Sequence, residues 1–260
     1  MVSTADNAEF TLSATYKGVV YKVPGKLDED GNPVYLNKEF SDLFKNKLSN
    51  NPNLVTFVTG NNTVEYFDSL EDVFDADGLK YLEQMPNSND SDIKTRAAGV
   101  IAGRVQVWDD SNFGDRTLIF DIDYDVIFEY PHLKYYDNFN DKISSLRIYN
   151  YINPSAYIYS HLGPKANPLQ PHLGSSLRIT FLGYEDDTYS GKVLLCVGSA
   201  NGSTTVPSHE DNRLGNFGWN DKITAVRVLI TTTKPGAQGT IQPFIGYYYG
   251  YPSITPYSPH

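Results

Sequence analysis

Cysteine is almost missing from this chain. Cys196 is the single one in 260 residues, so no internal disulfide can form and no zinc site can rest on paired thiolates. It lies in the apolar run LLCVG and reads as a small buried hydrophobe. Long apolar runs are missing too, since none approaches the roughly 18 residues that a membrane-spanning helix needs. Clustered basic residues are also lacking. Asp and Glu number 31 against 21 Lys and Arg, a formal charge of −10, and no run of adjacent cations offsets it. Nucleic acid is therefore excluded as an expected partner, because its binding rests on phosphate neutralisation by clustered Lys and Arg. No P-loop, HExxH, nucleophile elbow or Rossmann glycine pattern is present, and the chain reads as a non-enzyme.

Two acidic stretches look like EF-hand loops and fail on counting. With Gly31 or Gly78 as the sixth position, the first ligand would be Lys26 or Val73, and the twelfth would be Asn37 or Gln84 instead of glutamate. Both read as turns. His132, His161, His172, His209 and His260 are scattered without helical spacing or a carboxylate partner, and read as surface-loop residues.

What the chain does have is aromatic side chains, 13% of the total, with 20 tyrosines. Tyr, Val, Ile and Thr together favour strands. Residues 1–97 read as a small mixed α+β domain. TLSATYKGVVYKVP alternates like a strand, DEDGNP is a turn, and EFSDLFKNKL carries Phe40, Leu43, Phe44 and Leu48 at helical spacing. LVTFVTG and TVEYF form a hairpin pair, and Asp68 to Glu71 resembles a capping box opening a short helix to about Glu83. MPNSNDSDIKTRAAG, residues 85–99, is the expected linker. Residues 98–232 turn to short strands separated by Asp, Asn and Gly clusters, the pattern of an all-β sandwich. Residues 233–260 form a Pro-, Gly- and Tyr-rich tail.

The second part is duplicated. NFNDKISSLRI at 138–148 returns as GWNDKITAVRV at 218–228. Each copy is preceded by two aromatics with four spacers between them, Trp108 with Phe113 and Tyr184 with Tyr189. Gly191 follows the second pair, where the first has Asp115, a position that needs positive φ. The two units span about 100–150 and 177–232, with a long connection at 151–176.

On these residues the segment from about 100 to 232 resembles the βγ-crystallin superfamily, in particular its microbial calcium-binding branch. That family opens each Greek key with aromatic-x4-aromatic-x-Gly. It closes each with a calcium signature of two Asn or Asp, two variable residues, Ser or Thr, then Ser. Asn140 to Ser145 fits fully, and Asn220 to Ala225 fits except for the final alanine. The resemblance implies a Greek-key β-sandwich in which the two motifs exchange ligands around Ca2+. The implied donors are Asp141, the Lys142 carbonyl and Ser144 from the first loop. The second loop supplies Asp221, the Lys222 carbonyl and Thr224, and the hairpins add the carbonyls of Asp109 and Glu185. Few charged ligands per ion imply dissociation constants of roughly 10⁻⁵ to 10⁻³ M, and Ala225 implies a weaker second loop. An Asn-Asp pair before a strand is also an ordinary turn, so loss of the metal with retention of the fold stays open.

The expected function is a structural or cell-surface calcium-binding protein, secreted or in the cell envelope with any leader removed. The alternative is a recognition module for surface polysaccharide or a partner protein. It would use the tyrosine tail and the 151–176 connection, with calcium only stiffening the scaffold.

Overall fold

The structure is a computed structural model that describes residues 9–60, 62–74, 101–123, 128–135, 139–152, 177–233 and 241–243. The linker, nearly all of the 151–176 connection and most of the tail lie outside the described residues.

The first unit contributes β1 (Glu9–Tyr16), β2 (Val19–Leu27), β3 (Pro33–Tyr35), β4 (Val55–Gly60) and β5 (Thr63–Phe67). The alternating stretch read as one strand is in fact a hairpin. Lys17 and Gly18 turn the chain at positive φ, and β1 then pairs antiparallel with β2. The amphipathic segment forms α1 (Lys38–Leu43), capped by the Asn37 side chain, and continues as a π turn over Phe44–Leu48. Its apolar face meets Tyr35 and Tyr66, with rings 5.0 Å apart for Tyr35–Phe40 and 6.1 Å for Phe44–Tyr66. The expected capping box is shifted by one residue. Ser69 is the cap, its N–H donating to Asp72 Oδ2 at 3.2 Å, and the turn is 3-10 over Leu70–Asp72. The helix proposed to run to Glu83 falls largely outside the described residues.

The second half follows the duplicated pattern. The first motif holds β6 (Ile101–Trp108), β7 (Thr117–Asp123), β8 (Phe128–Tyr130) and β9 (Ser145–Asn150). The second holds β10 (Leu177–Asp186), β11 (Ser190–Ser199), β12 (His209–Asp211) and β13 (Ala225–Thr233), with β14 (Ile241–Pro243) beyond. The chain is mainly β, arranged as two packed sheets. The smaller sheet runs β12-β9-β6-β7, so its outer strand β12 comes from the second motif. In return β8 of the first motif pairs with β13 in the larger sheet. Each motif lends its third strand to the other, and the two Greek keys are interlocked.

Between the sheets Val105, Val107, Phe120, Ile122, Leu146 and Ile148 meet Ile179, Phe181, Leu194, Cys196, Val226 and Val228, all fully buried. Strand β11 then pairs in parallel with β4, Val193 opposite Val55, so the larger sheet continues as β4-β5-β1-β2-β3. The first unit thus extends the sheet of the second motif, and one apolar core runs from Leu12 and Phe40 to Ile230. A second cluster covers the outer face of that sheet, with Val73 and Phe74 on Leu182, Tyr184, Leu195 and Leu229. Strand β10 is therefore buried on both faces.

Candidate metal centre

Each hairpin opening a motif is folded over its own aromatic pair. Trp108 and Phe113 meet edge to face at 5.0 Å, Tyr184 and Tyr189 at 5.5 Å. The backbone needed for that turn is the same twice: Asn112, Phe113 and Asp115 have φ of 57°, 61° and 56°, and Thr188, Tyr189 and Gly191 have 60°, 61° and 75°. Asp115 thus occupies the left-handed position expected for glycine.

Sequence reasoning did not single out what caps these rings. Arg147 lies 3.6 Å above the Phe113 ring and Arg227 lies 3.7 Å above Tyr189. Each arginine then pairs with a glutamate on the strand lent by the other motif. Arg147 reaches Glu210 at 3.0 Å, and Arg227 reaches Glu129 at 2.9 Å. The signal was available, because both arginines fall seven positions after the asparagine of NDKI.

The NDKI loops are anchored alike. Phe139 and Ile143 bury one, Trp219 and Ile223 the other, while Asp141 and Asp221 both take left-handed backbone, φ 52° and 51°. Asn140 donates its amide to Asp141 at 2.6 Å, and Asn220 repeats this to Asp221 at 2.9 Å. The Ser144 N–H bonds to the Trp108 carbonyl, and its own carbonyl accepts from Leu214 of the other motif. Thr224 repeats that pattern with Tyr184 and Leu133. Each signature hydroxyl therefore sits where its own hairpin meets the other motif.

The structure brings the second-loop aspartate to the first-loop hydroxyl: Ser144 Oγ donates to Asp221 Oδ1 at 2.9 Å. Thr224 Oγ1 donates instead to the Glu185 carbonyl at 3.0 Å. The carboxylates of Asp109 and Glu185 are turned aside, to Arg116 at 2.5 Å and Lys192 at 3.3 Å. The final serine of the first signature, Ser145, closes the hairpin turn. It donates to the Asp110 carbonyl at 2.7 Å and accepts from the Phe113 N–H at 3.1 Å, a link that Ala225 cannot make.

Negative charge accumulates across the motif boundary. Burial raises the pKa of Asp141 above the usual carboxylate range, and Asp187 and Asp221 raise it further. Burial also raises that of Asp221, helped by Asp109 and Asp110 and opposed by the Ser144 hydrogen bond and Lys142. Burial acts the same way on Asp187, but His132 and Lys134, at 3.2 and 3.3 Å, hold it below the usual range. Burial lowers the pKa of Lys222, which lies near Glu185 and Asp28.

Among the described residues no three His, Cys, Asp or Glu side chains converge into a metal-holding group. The oxygen pairs that do meet are carboxylate with hydroxyl at Asp221–Ser144, and hydroxyl with main-chain carbonyl at Thr224–Glu185. That set suits a hard cation which takes six to eight oxygens and retains water, and it does not suit zinc.

About half of the chain is similar to solved βγ-crystallin domains. A βγ-crystallin domain from Flavobacterium johnsoniae is 19% identical over 52% of this chain and 98% of its own, with a TM-score of 0.28. One from Clostridium beijerinckii is 18% identical over 48% of this chain and 94% of its own, TM-score 0.27. The N-terminal domain of Protein S is 13% identical over 50% of this chain and 99% of its own, TM-score 0.29. No protein-family model matches the chain, and no curated protein matches it either. Of the residues expected to bind a cation, Ser144 meets Asp221 across the two motifs, and the Asp141 N–H donates to the Ile223 carbonyl of the other motif at 3.1 Å. No helix among the described residues is long and apolar enough to cross a membrane.

Proposed function

We propose that the chain is a non-enzymatic calcium-binding protein whose two motifs share their ions. The observation that carries this reading is the Ser144–Asp221 contact, which joins a hydroxyl of one signature loop to the carboxylate of the other. One ion would take the Asp221 carboxylate and the Ser144 hydroxyl, with the Asp109 carbonyl beside them. The other would take the Asp141 carboxylate, the Thr224 hydroxyl and the Glu185 carbonyl. The carbonyls of Lys142 and Lys222 complete the protein donors.

Bound calcium would relieve the crowding of Asp141, Asp187 and Asp221 and tie the Greek keys together. Stability then rises by RT ln(1 + [Ca]/Kd), about 2.7 kcal/mol at a hundredfold excess over Kd. Affinities of roughly 10⁻⁵ to 10⁻³ M suit an extracellular or envelope setting with millimolar calcium and a structural role there. Calorimetric titration of the wild type beside Asp141→Ala and Asp221→Ala tests the reading. Each variant is expected to lose one of two sites, and equal heats from all three would overturn it. The recognition alternative rests on the 151–176 connection and the tyrosine tail, which are almost wholly outside the described residues.

A further inference from the structure

The two signature loops repeat each other, yet among the described residues only the second is set against the first unit. The 3-10 turn Leu214–Phe217, which leads into the second loop, is wholly buried. Tyr35 Oη donates to the Asn216 carbonyl at 3.4 Å, and Asn216 Nδ2 donates to Asn62 Oδ1 at 3.4 Å. Gly218, at φ 82°, packs under Pro33, and a β-carbon added there would lie 3.7 Å from its Cγ. The corresponding turn of the first motif ends in Tyr135, which is 73% exposed.

The acidic turn between β2 and β3 reaches the second loop itself. Asp28 ties that turn by accepting from the N–H groups of Asp30 and Asn32 at 3.0 and 2.8 Å. Gly31 sits at its tip with φ 78°, and a β-carbon added there would lie 3.2 Å from Asn220 Nδ2. The same amide nitrogen holds Asp221 Oδ2, which leaves Oδ1 facing Ser144. Gly31 thus lies close by the Asn220 amide, which donates to Asp221, and Asp221 in turn accepts from Ser144.

We propose that the turn at Asp28–Asn32 is a positioning element for one cation site: Gly31 seats the Asn220 amide, and Asn220 orients the Asp221 carboxylate toward Ser144. This deepens the calcium reading and rests on it. It gives the first unit a role beyond extending the sheet, and makes the Asp221 site depend on residues outside the sandwich. The Asp141 site shows no such dependence among the described contacts.

Gly18 supplies the control. It has the same φ of 78°, but a β-carbon added there meets nothing within 4 Å. Asparagine tolerates left-handed backbone, so Gly31→Asn and Gly18→Asn should both fold, with similar small losses of stability. Calcium calorimetry on the full chain should show Gly31→Asn weakening the site that Asp221→Ala removes by about fivefold or more. The site removed by Asp141→Ala should be unchanged, and Gly18→Asn should change neither. In the Asn220→Ala background, Gly31→Asn should have no further effect. A readout independent of metal is the side-chain amide resonance of Asn220, expected to move in Gly31→Asn while that of Asn140 stays. If the wild type binds calcium and the Gly31 and Gly18 variants give the same isotherms, the positioning role is overturned and the calcium reading survives. A wild type without calcium heat overturns the calcium reading and the affinity claim together. An Asn220 resonance unmoved by Gly31→Asn rules out the contact.

Discussion

Ser144 and Asp221 stand 77 positions apart, yet the hydroxyl of one donates to the carboxylate of the other at 2.9 Å. With Ser144 and the lent strands, the two motifs meet side chain to side chain as well as sheet to sheet. In metal-free protein, Ser144→Ala should destabilise by about 0.5–1.5 kcal/mol, because the exposed Asp221 carboxylate loses a hydrogen-bond donor. A double-mutant cycle with Asp221→Ala should return a coupling of at least about 0.5 kcal/mol in denaturant melts. Additive losses would show that the contact contributes nothing.

The two ring-capping arginines make the same bonds in different surroundings, and their mutants should separate accordingly. The Arg227–Glu129 side chains are 7% and 3% exposed, those of Arg147–Glu210 31% and 43%. Glu129→Ala strands a buried guanidinium and should cost about 3–5 kcal/mol, whereas Glu210→Ala should cost at most about 1 kcal/mol. Urea unfolding of the two variants measures both.

Asp115 and Gly191 occupy equivalent left-handed positions, φ 56° and 75°. Asp115→Gly should relieve backbone strain and raise stability by up to about 1 kcal/mol. Gly191→Ala should do the reverse and more, because its β-carbon would fall 2.6 Å from Asp186 Oδ2. Thermal melts of both variants check the pair.

Strand β12 carries two buried groups whose pH effects oppose each other. Burial raises the Asp211 pKa to about 6, with Glu210 adding to it and the Arg213 N–H opposing, and burial lowers His209 to about 4. A raised acid pKa favours the fold at low pH, so the Asp211 contribution is lost as pH climbs from about 4 to 6. A depressed histidine pKa does the opposite, and its contribution is lost as pH falls from about 6.5 to 4. The contributions of these two groups should therefore largely cancel between pH 4 and 6. Asp211→Asn should become more stable as pH rises, and His209→Gln less, each by up to about 3 kcal/mol across the window. Parallel profiles for the three proteins would refute the opposition.

The duplicated half was legible because its pattern is local: aromatic spacing, the NDKI repeat and the awkward Asp115 all lie within a few residues of one another. The exchange of β8 and β12 was not, since three-residue strands such as FEY and HED carry too little periodicity to declare a partner. The hairpin at Lys17–Gly18 was hidden by apolar alternation that continues across the turn. Strand β4 was read as a strand, but nothing in VTFVTG announces a parallel partner 138 residues away at Val193. His209 looked like a surface histidine because Pro207 marks a turn and its neighbours Ser208 and Glu210 are polar, and only the sheet order buries it.

The lending of third strands has a consequence for any chain that holds one Greek key alone. Freed from its twin, the first motif would present β6, β7 and β9 with one flank bare, and β8 would have no sheet to join. Such a half-length molecule could complete itself by meeting a second copy and trading the same strand, with the two loops again face to face. The fused arrangement makes that encounter intramolecular, so its assembly no longer depends on protein concentration.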